Sequence, residues 1–208
     1  VYKVRDMLLD EINNKTNKLM NMDYMKYLDE SRVTLEYDLP LNEIGLEQAN
    51  QTADLLTKCP IKWDLIISSP FKRAFETCQI IAEKINYNKD IIIDELAIER
   101  AFGEAEGLPI SEENYKLISQ NYFKNQESEQ DIINRGNKLI TKILNSYKGK
   151  NILIVSHSHF IKSLLIPHDQ TLKFDSGIPN ASLNFLIYDN NTFKNMIINC
   201  KEDNFNNI

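Results

Sequence analysis

The sequence predicts an α/β protein of three layers, in which helices cover both faces of a largely parallel central sheet. Three short runs of branched apolar residues, at 65–67, 91–93 and 152–155, lack polar alternation and are therefore typical of strands buried on both faces. Segments with helical period separate these runs. Strands that alternate with helices indicate right-handed β–α–β units. A further strand is predicted late in the chain, at 183–188.

Helix starts support this order of elements. Residues 43–58 carry an apolar stripe at helical spacing, and Asn42 is placed to cap it. The pair Ser-Pro at 69–70 predicts the opening of the next helix, because a proline in the first turn loses no hydrogen bond. Ser128 and Asp131 form a capping pair before a third apolar stripe.

Length and composition limit the architecture and the classes of function. The 208 residues predict one domain, 1–208, in which the polar segments 13–38 and 103–127 are interpreted as insertions. The net charge is −6 and no run of basic residues occurs, which argues against a nucleic-acid surface or an anionic-membrane anchor. No apolar stretch reaches the roughly 18–20 residues of a membrane span, and we expect no leader peptide.

The three cysteines, Cys59, Cys78 and Cys200, are far apart in the sequence and odd in number. This pattern favours free thiols over a disulfide framework or a zinc site. Free thiols are typical of a reducing compartment, so we expect a cytoplasmic protein.

Candidate site residues follow the predicted strands, because ligand sites of open parallel sheets form beyond the carboxyl ends of the strands. Arg73 falls in the first helical turn after the strand at 65–67, where a guanidinium beside free helix N–H groups suits a phosphate. His157 follows the strand at 152–155, and Glu99 follows the strand at 91–93 among several other carboxylates. Taken singly, each is as readily explained as a solvated or structural residue.

The remaining histidines give weaker signals. His159 is predicted to begin the next helix, which we expect at 160–165, and is interpreted as structural, while His168 carries no signal. With three histidines and no helical spacing between them and the acids, we expect neither a metal site nor a cofactor.

Five segments of the sequence occur in a recognisable order. They are DLPLNEIGLEQA at 38–49, SSPFKRAFET at 68–77, ERAFGEAEG at 99–107, ES at 127–128 and VSH at 155–157. This order resembles the histidine phosphatase superfamily, in its phosphoglycerate-mutase-like branch, and the likeness extends over residues 1–188.

The resemblance implies covalent phosphoryl transfer without a metal ion. In the family, a histidine of an Arg-His-Gly motif attacks phosphorus, two arginines and a second histidine hold the phosphoryl oxygens, and a glutamate protonates the leaving oxygen. By position, Arg5 and Arg73 match the two arginines, His157 the second histidine and Glu99 the proton donor.

The nucleophile is where the sequence departs from the family pattern. Asp6 stands in the position of the attacking histidine and Met7 in that of the glycine. Residues 1–12 also fit a helical stripe. We favour a strand that ends near Arg5, because a sheet without its first strand would leave an edge open.

These substitutions predict that the phosphate pocket is retained while turnover is lost or weak. A carboxylate at Asp6 repels a phosphate dianion, since two like charges about 4 Å apart cost about 4 kcal/mol at an effective dielectric constant near 20. Met7 adds a bulky side chain where close approach of the backbone favours glycine. The hypothesis is a pseudophosphatase that binds phosphate, sulfate, a small phosphomonoester or a phosphoprotein, and that has a protein partner.

Two alternatives stay open at this point. The first is an active phosphomonoesterase or phosphoglycerate-mutase-type enzyme with an altered nucleophile. The second, from another class, is a nucleotide-binding α/β module. The chain has only six glycines and no glycine-rich phosphate-binding motif, which argues against the second alternative.

Overall fold

The computed structural model of the chain describes residues 38–108 and 111–208, and elements are numbered here over those residues. Three strands, β1 (Leu65–Ser68), β2 (Ile92–Ile93) and β3 (Ile152–Val155), form a parallel sheet in the order β2–β1–β3. In its register, Ile67 of β1 lies opposite a residue of each neighbouring strand. The predicted α/β class with a parallel sheet is confirmed.

Five α-helices accompany these strands in the described residues. They are α1 (Glu43–Thr57), α2 (Lys72–Lys84), α3 (Glu112–Ser119), α4 (Glu129–Ser146) and α5 (Ser158–Leu165). Leu153 and Val155 of β3 join the core formed with α1 and α2, whereas Ile154 packs against the core of α4 and α5. Because successive side chains of a strand point to opposite faces, the sheet lies between the two helical layers.

Two predicted helix caps are confirmed. The side chain of Asn42 accepts a hydrogen bond from the N–H of Gly45 at 2.8 Å, at the start of α1. At the start of α4, the hydroxyl of Ser128 accepts from the N–H of Asp131 at 3.1 Å and donates to its carboxylate at 2.6 Å. Each cap satisfies a main-chain donor that has no partner within the helix.

The predicted start of α2 at 69–70 is wrong by two residues, because the helix begins at Lys72. Its cap comes from a distant part of the chain. The N–H of Lys72 donates to the carboxylate of Asp38, and the N–H of Arg73 donates to the carbonyl of Leu39 at 3.1 Å. A cap supplied from more than thirty residues away leaves no local signal.

The late strand is part of an antiparallel hairpin. Strand β4 (Phe185–Asp189) begins two residues later than predicted and pairs with β5 (Thr192–Ile197), which the sequence analysis did not identify. Asn190 and Asn191 join the two strands in the left-handed region, with φ values of 48° and 63°. Asparagine tolerates this conformation, and two such residues are typical of a tight hairpin turn.

The described residues also bear on the expectations for segment 103–127, for the cysteines and for membrane-spanning helices. Segment 103–127 contains α3, whose first turn is capped by the hydroxyl of Ser111, so this segment is not without regular structure. The three cysteines are buried and form no disulfide. None of the helices in 38–108 and 111–208 is both long and apolar enough to cross a membrane. Residues 1–37, and with them Arg5, Asp6 and Met7, lie outside the described residues.

Candidate functional site

The site begins where β1 and β3 end side by side. The N–H of Ser69 donates to the carbonyl of Val155 at 3.0 Å, which joins the two strand ends. Just beyond, Nε2 of His157 lies 2.8 Å from the hydroxyl oxygen of Ser69. His157 is buried and precedes the first residue of α5. Its imidazole is thereby fixed at the carboxyl edge of the sheet, as the sequence predicted.

Arg73 is brought to the same edge by the first turn of α2. Its guanidinium carbon lies 5.1 Å from the centre of the Phe71 ring, and that ring contacts the ring of His157 edge-on at 5.3 Å. Phe71 therefore contacts both side chains. The predicted free helix N–H groups beside Arg73 are absent at the first two positions of α2, because Asp38 and Leu39 accept from them.

Burial and the neighbouring carboxylates shift the pKa of Arg73 in opposite directions. Burial lowers the pKa of this guanidinium, while the negative charges of Glu99, Asp38 and Glu106 act to raise it. An arginine side chain retains its proton at neutral pH in either case. The site therefore contains a positive charge that can bind two oxygens of an anion.

Glu99 borders the same cleft, near enough to Arg73 for the two charges to interact, and caps α5. One carboxylate oxygen accepts from the N–H of Arg100 at 2.9 Å and of Phe160 at 3.2 Å, and the other lies 3.5 Å from the N–H of His159. Burial raises the pKa of Glu99, and these N–H groups together with the charge of Arg73 oppose that rise. A carboxyl group with a raised pKa is suited to donate a proton near neutral pH.

The main chain that carries Glu99 is clamped by Arg135 of α4, a residue that the sequence analysis missed. Its guanidinium donates to the carbonyls of Leu96 at 2.9 Å, Ile98 at 2.8 Å and Glu99 at 3.3 Å. The same guanidinium donates to both carboxylate oxygens of Glu127, at 2.8 and 2.6 Å. Glu127 belongs to one of the five segments noted above, and its carboxylate was the signal that could have pointed to a buried arginine.

The protonation state of His157 follows from its surroundings. Burial lowers the pKa of His157 well below its usual value, and the positive charges of Arg73 and Arg135 act in the same direction. The imidazole is therefore neutral at pH 7. A neutral imidazole offers one N–H donor to an anion without adding charge.

His159, interpreted as structural from the sequence, lies in the wall of this site. Its ring stacks on that of Phe174 at 5.7 Å between centres and meets that of Phe102 edge-on at 5.0 Å. Its Nε2 lies 2.9 Å from the hydroxyl oxygen of Tyr115 on α3. Because the N–H of His159 lies 3.5 Å from a carboxylate oxygen of Glu99 and Tyr115 contacts the ring of His159, part of segment 103–127 lies next to the site.

The arrangement combines one guanidinium, one neutral imidazole and one carboxyl group of raised pKa at a single sheet edge. Among residues 38–108 and 111–208, no group of three histidine, cysteine, aspartate or glutamate side chains is placed to hold a metal ion. A guanidinium and an imidazole can bind phosphoryl oxygens, and a carboxyl group of raised pKa can protonate a leaving oxygen. Arg5 and Asp6 lie outside the described residues, so their places in the site stay predictions.

Comparison with known families gives an extended match. The sequence model of a family described as the histidine phosphatase superfamily (branch 1) matches residues 26–201. The match includes Arg73, Glu99 and His157 and begins after Arg5, Asp6 and Met7.

One similar sequence and two similar structures agree with this match. The uncharacterized phosphatase PhoE of Bacillus subtilis is 35% identical over 128 residues, which are 62% of this chain and 64% of that protein, slightly less than two thirds of its length. The phosphoglycerate mutase of Bacillus anthracis superposes with a TM-score of 0.72 at 21% identity, over 86% of this chain and 90% of that one. A mycobacterial glucosyl-3-phosphoglycerate phosphatase, solved with VO3, gives a TM-score of 0.67 at 20% identity, over 83% and 92%. At these identities the two structures share the fold.

Proposed function

Because this chain belongs to the histidine phosphatase superfamily (branch 1), we propose that it binds the phosphoryl group of phosphomonoesters and turns them over weakly or not at all. The observation that supports binding is the convergence of Arg73, His157 and Glu99 at the carboxyl edge of the sheet. Family membership favours this function over that of a nucleotide-binding module. The mycobacterial phosphatase solved with VO3, a phosphate-like oxyanion, supports the same ligand class.

Each described side chain has a distinct role in this proposal. The guanidinium of Arg73 binds two phosphoryl oxygens, and the imidazole of His157 donates a hydrogen bond to a third. The carboxyl group of Glu99, whose pKa is raised by burial, faces the leaving oxygen and serves as the proton donor to an alcohol leaving group. Arg5 adds a second guanidinium.

Weak turnover follows from the proposed place of Asp6. A carboxylate in the nucleophile position repels the incoming dianion and forms hydrogen bonds with the arginines that would otherwise bind it. Met7 fills space beside the bound anion. Both statements rest on the sequence, since Asp6 and Met7 precede the described residues and the family match.

Binding and turnover are tested separately on the full chain. Titration calorimetry with inorganic phosphate and with vanadate measures binding, and release of p-nitrophenol from p-nitrophenyl phosphate measures turnover. We expect both anions to bind the wild type, His157→Ala to weaken both, and the wild type to release little product. The double variant Asp6→His, Met7→Gly is expected to gain hydrolysis. His168→Ala is the matched control, because that imidazole hydrogen-bonds to Tyr188, in the β4–β5 hairpin.

Two results contradict the proposal. Phosphate that fails to bind the wild type contradicts the binding site. Turnover that equals that of an active relative and is abolished by His157→Ala contradicts the impaired nucleophile.

An active enzyme with an altered nucleophile is the second candidate, and Glu99 favours it. A protein that only binds phosphate does not need a buried carboxyl group held ready to donate a proton. In this alternative an oxygen of Asp6 attacks phosphorus, the alcohol leaves with the proton of Glu99, and water hydrolyses the acyl phosphate. Mass spectrometry of trapped protein tests it: a hydroxylamine-sensitive adduct on Asp6, or an acid-labile adduct on His157, supports turnover.

We also propose that residues 1–208 form one domain in the cytoplasm. The single family match over residues 26–201 supports one domain. The buried and unpaired thiols of Cys59, Cys78 and Cys200 support a reducing compartment.

A further inference from the structure

A chain of hydrogen bonds surrounds the ring of His159, two residues after His157. Nε2 of His159 lies 2.9 Å from the hydroxyl oxygen of Tyr115, and that oxygen lies 3.1 Å from the carbonyl oxygen of Phe174. The ammonium group of Lys162 donates to the same carbonyl at 2.7 Å. A carbonyl oxygen has two lone pairs, so it can accept from both donors.

The direction of each hydrogen bond follows from the chemistry of the groups. The carbonyl of Phe174 can only accept, so the single proton of the Tyr115 hydroxyl is donated to it. The oxygen of Tyr115 then accepts from Nε2 of His159, which must carry the ring proton. With any other assignment, the contact of Tyr115 with either Phe174 or His159 would not be a hydrogen bond. It fixes His159 in one tautomer, with the proton on Nε2.

His159 and Tyr115 both remain neutral at working pH. Burial lowers the pKa of His159 to about 3, and the charges of Lys162 and Arg100 act in the same direction. Burial raises the pKa of Tyr115 to about 12. Near pH 7, neither His159 nor Tyr115 therefore gains or loses a proton.

The rings around His159 restrain its position further. Phe174 stacks on one face with an angle of 5° between the planes, and Phe102 meets the ring edge-on at 85°. The ring is buried and held on several sides by these contacts. Because a buried ring in one tautomer has little freedom, the main chain of His159 is fixed with it.

The main chain fixed in this way belongs to the turn that carries the site. His157 is the residue before α5, and the N–H groups of His159 and Phe160 face the carboxylate of Glu99. We propose that His159 is a positioning residue: anchored by Tyr115 and the two phenylalanine rings, it sets the first turn of α5 so that His157 faces the phosphoryl group and Glu99 the leaving oxygen. This inference rests on the proposed function, and it adds a residue that phosphate does not touch.

Two variants remove the hydrogen bond while they preserve the packing of rings. Tyr115→Phe removes the acceptor of the His159 proton, and His159→Phe removes the donor but keeps an aromatic ring between Phe102 and Phe174. Tyr122→Phe is the matched control, because Tyr122 is an exposed tyrosine of the same segment. His159→Gln tests rescue, since its amide nitrogen can donate to Tyr115.

Calorimetric titration with inorganic phosphate gives the first readout. We expect the dissociation constant to rise about 5- to 10-fold in Tyr115→Phe and His159→Phe, as for the loss of one buried hydrogen bond. The control is expected to bind as the wild type does, and His159→Gln is expected to bind more tightly than His159→Phe.

Nuclear magnetic resonance gives a second readout that needs no ligand. Long-range proton–nitrogen spectra of the imidazoles identify the proton on Nε2 of His159. The carboxyl carbon of Glu99, followed against pH, reports on its N–H partners. The groups that face Glu99 are Arg73, Arg100 and the neutral Tyr115, so Tyr115→Phe changes no charge. We expect the pKa of Glu99 to rise in this variant as the N–H groups withdraw.

The possible outcomes separate the two proposals. A proton on Nδ1 of His159, or an unchanged phosphate affinity together with an unchanged Glu99 titration in both variants, would overturn the positioning role. A wild type that binds no phosphate contradicts the proposed function instead, and the Glu99 titration in Tyr115→Phe then decides the role of His159 alone. Thermal melts of every variant show whether the fold persists.

Discussion

The Glu99 side and the Arg73 side of the cleft are held in place by different means. Glu99 is fixed by main-chain N–H groups of α5, and the main chain that carries it is clamped by the half-buried pair Arg135–Glu127. Arg73 lies on Phe71, and the start of its helix is held by hydrogen bonds to Asp38 and Leu39. Glu99 is thus held by hydrogen bonds to the main chain, whereas Arg73 is held by a ring contact and by the start of its helix. We therefore expect loss of the Arg135–Glu127 pair to lower mainly stability, and loss of Arg73 to weaken mainly anion binding.

The largest effect is expected on the Glu99 side, from Glu127→Ala. This change leaves the guanidinium of Arg135, itself mostly buried, without its carboxylate, and breaking such a pair costs about 3 kcal/mol. We expect the free energy of unfolding in urea to fall by that amount, while phosphate affinity changes little. Glu83→Ala, on the exposed surface of α2, is the control and is expected to leave stability unchanged. Lost phosphate affinity without lost stability would contradict the division between the two sides.

For Arg73→Ala, we expect weaker phosphate binding with only a small loss of stability. Loss of a charge-assisted hydrogen bond to phosphate costs about 2 kcal/mol, which corresponds to about 30-fold weaker binding. We expect titration calorimetry to show this loss and urea unfolding to show a change smaller than that of Glu127→Ala. Lys72→Ala, one residue earlier and exposed, should leave the affinity as it is. If Lys72→Ala weakens binding equally, general surface charge rather than Arg73 binds the anion.

Acid should weaken the Glu99 side through His159. The folded-state pKa of His159, about 3, lies below the ordinary value of 6.5, so its contribution to stability is present above pH 6.5 and is lost as the pH falls toward 3. The slope for one such group is at most about 1.4 kcal/mol per pH unit. Urea unfolding at pH 7, 6, 5 and 4 measures it. His159→Phe should lose less stability than the wild type across this range, and equal slopes would show that other groups dominate.

The smallest effect is expected at the cap of α1, next to the segment that supports Arg73. Asn42→Ala removes the acceptor for the N–H of Gly45 and should cost about 1 kcal/mol of unfolding free energy. Asn42→Asp keeps an acceptor and should retain most of the stability. Phosphate affinity measured in both variants shows whether α1 transmits any change to Arg73.

Much of the fold could be predicted because its signals are local. The run at 152–155 became β3 with the predicted bounds, since a continuous apolar run is stable only where both faces of a sheet are covered. The start of α2 could not be predicted, because its cap is Asp38, a residue distant in sequence. Strand β5 was missed because it carries little of the apolar pattern and its residues are exposed or half-buried.

The candidate site also contains some residues that could be predicted from the sequence and others that could not. Arg73, Glu99 and His157 were predicted from the ends of strands and from the order of five segments, and the structure places them at one sheet edge. Arg135 and His159 were missed, because the role of each depends on a partner that only the fold brings near. Tyr115, for example, precedes His159 by 44 residues. The place of Asp6 stays a prediction from the sequence.

Chemical labelling of the three buried cysteines can measure how often the folded protein opens. Burial raises the pKa of all three thiols, to about 12 for Cys78, and a thiolate rather than a thiol attacks electrophiles. A maleimide or iodoacetamide dye will therefore label the folded protein only as fast as the covering layers separate. Cys78 lies in α2 and Cys200 follows the β4–β5 hairpin, so peptide mapping of the label distinguishes which region separates first.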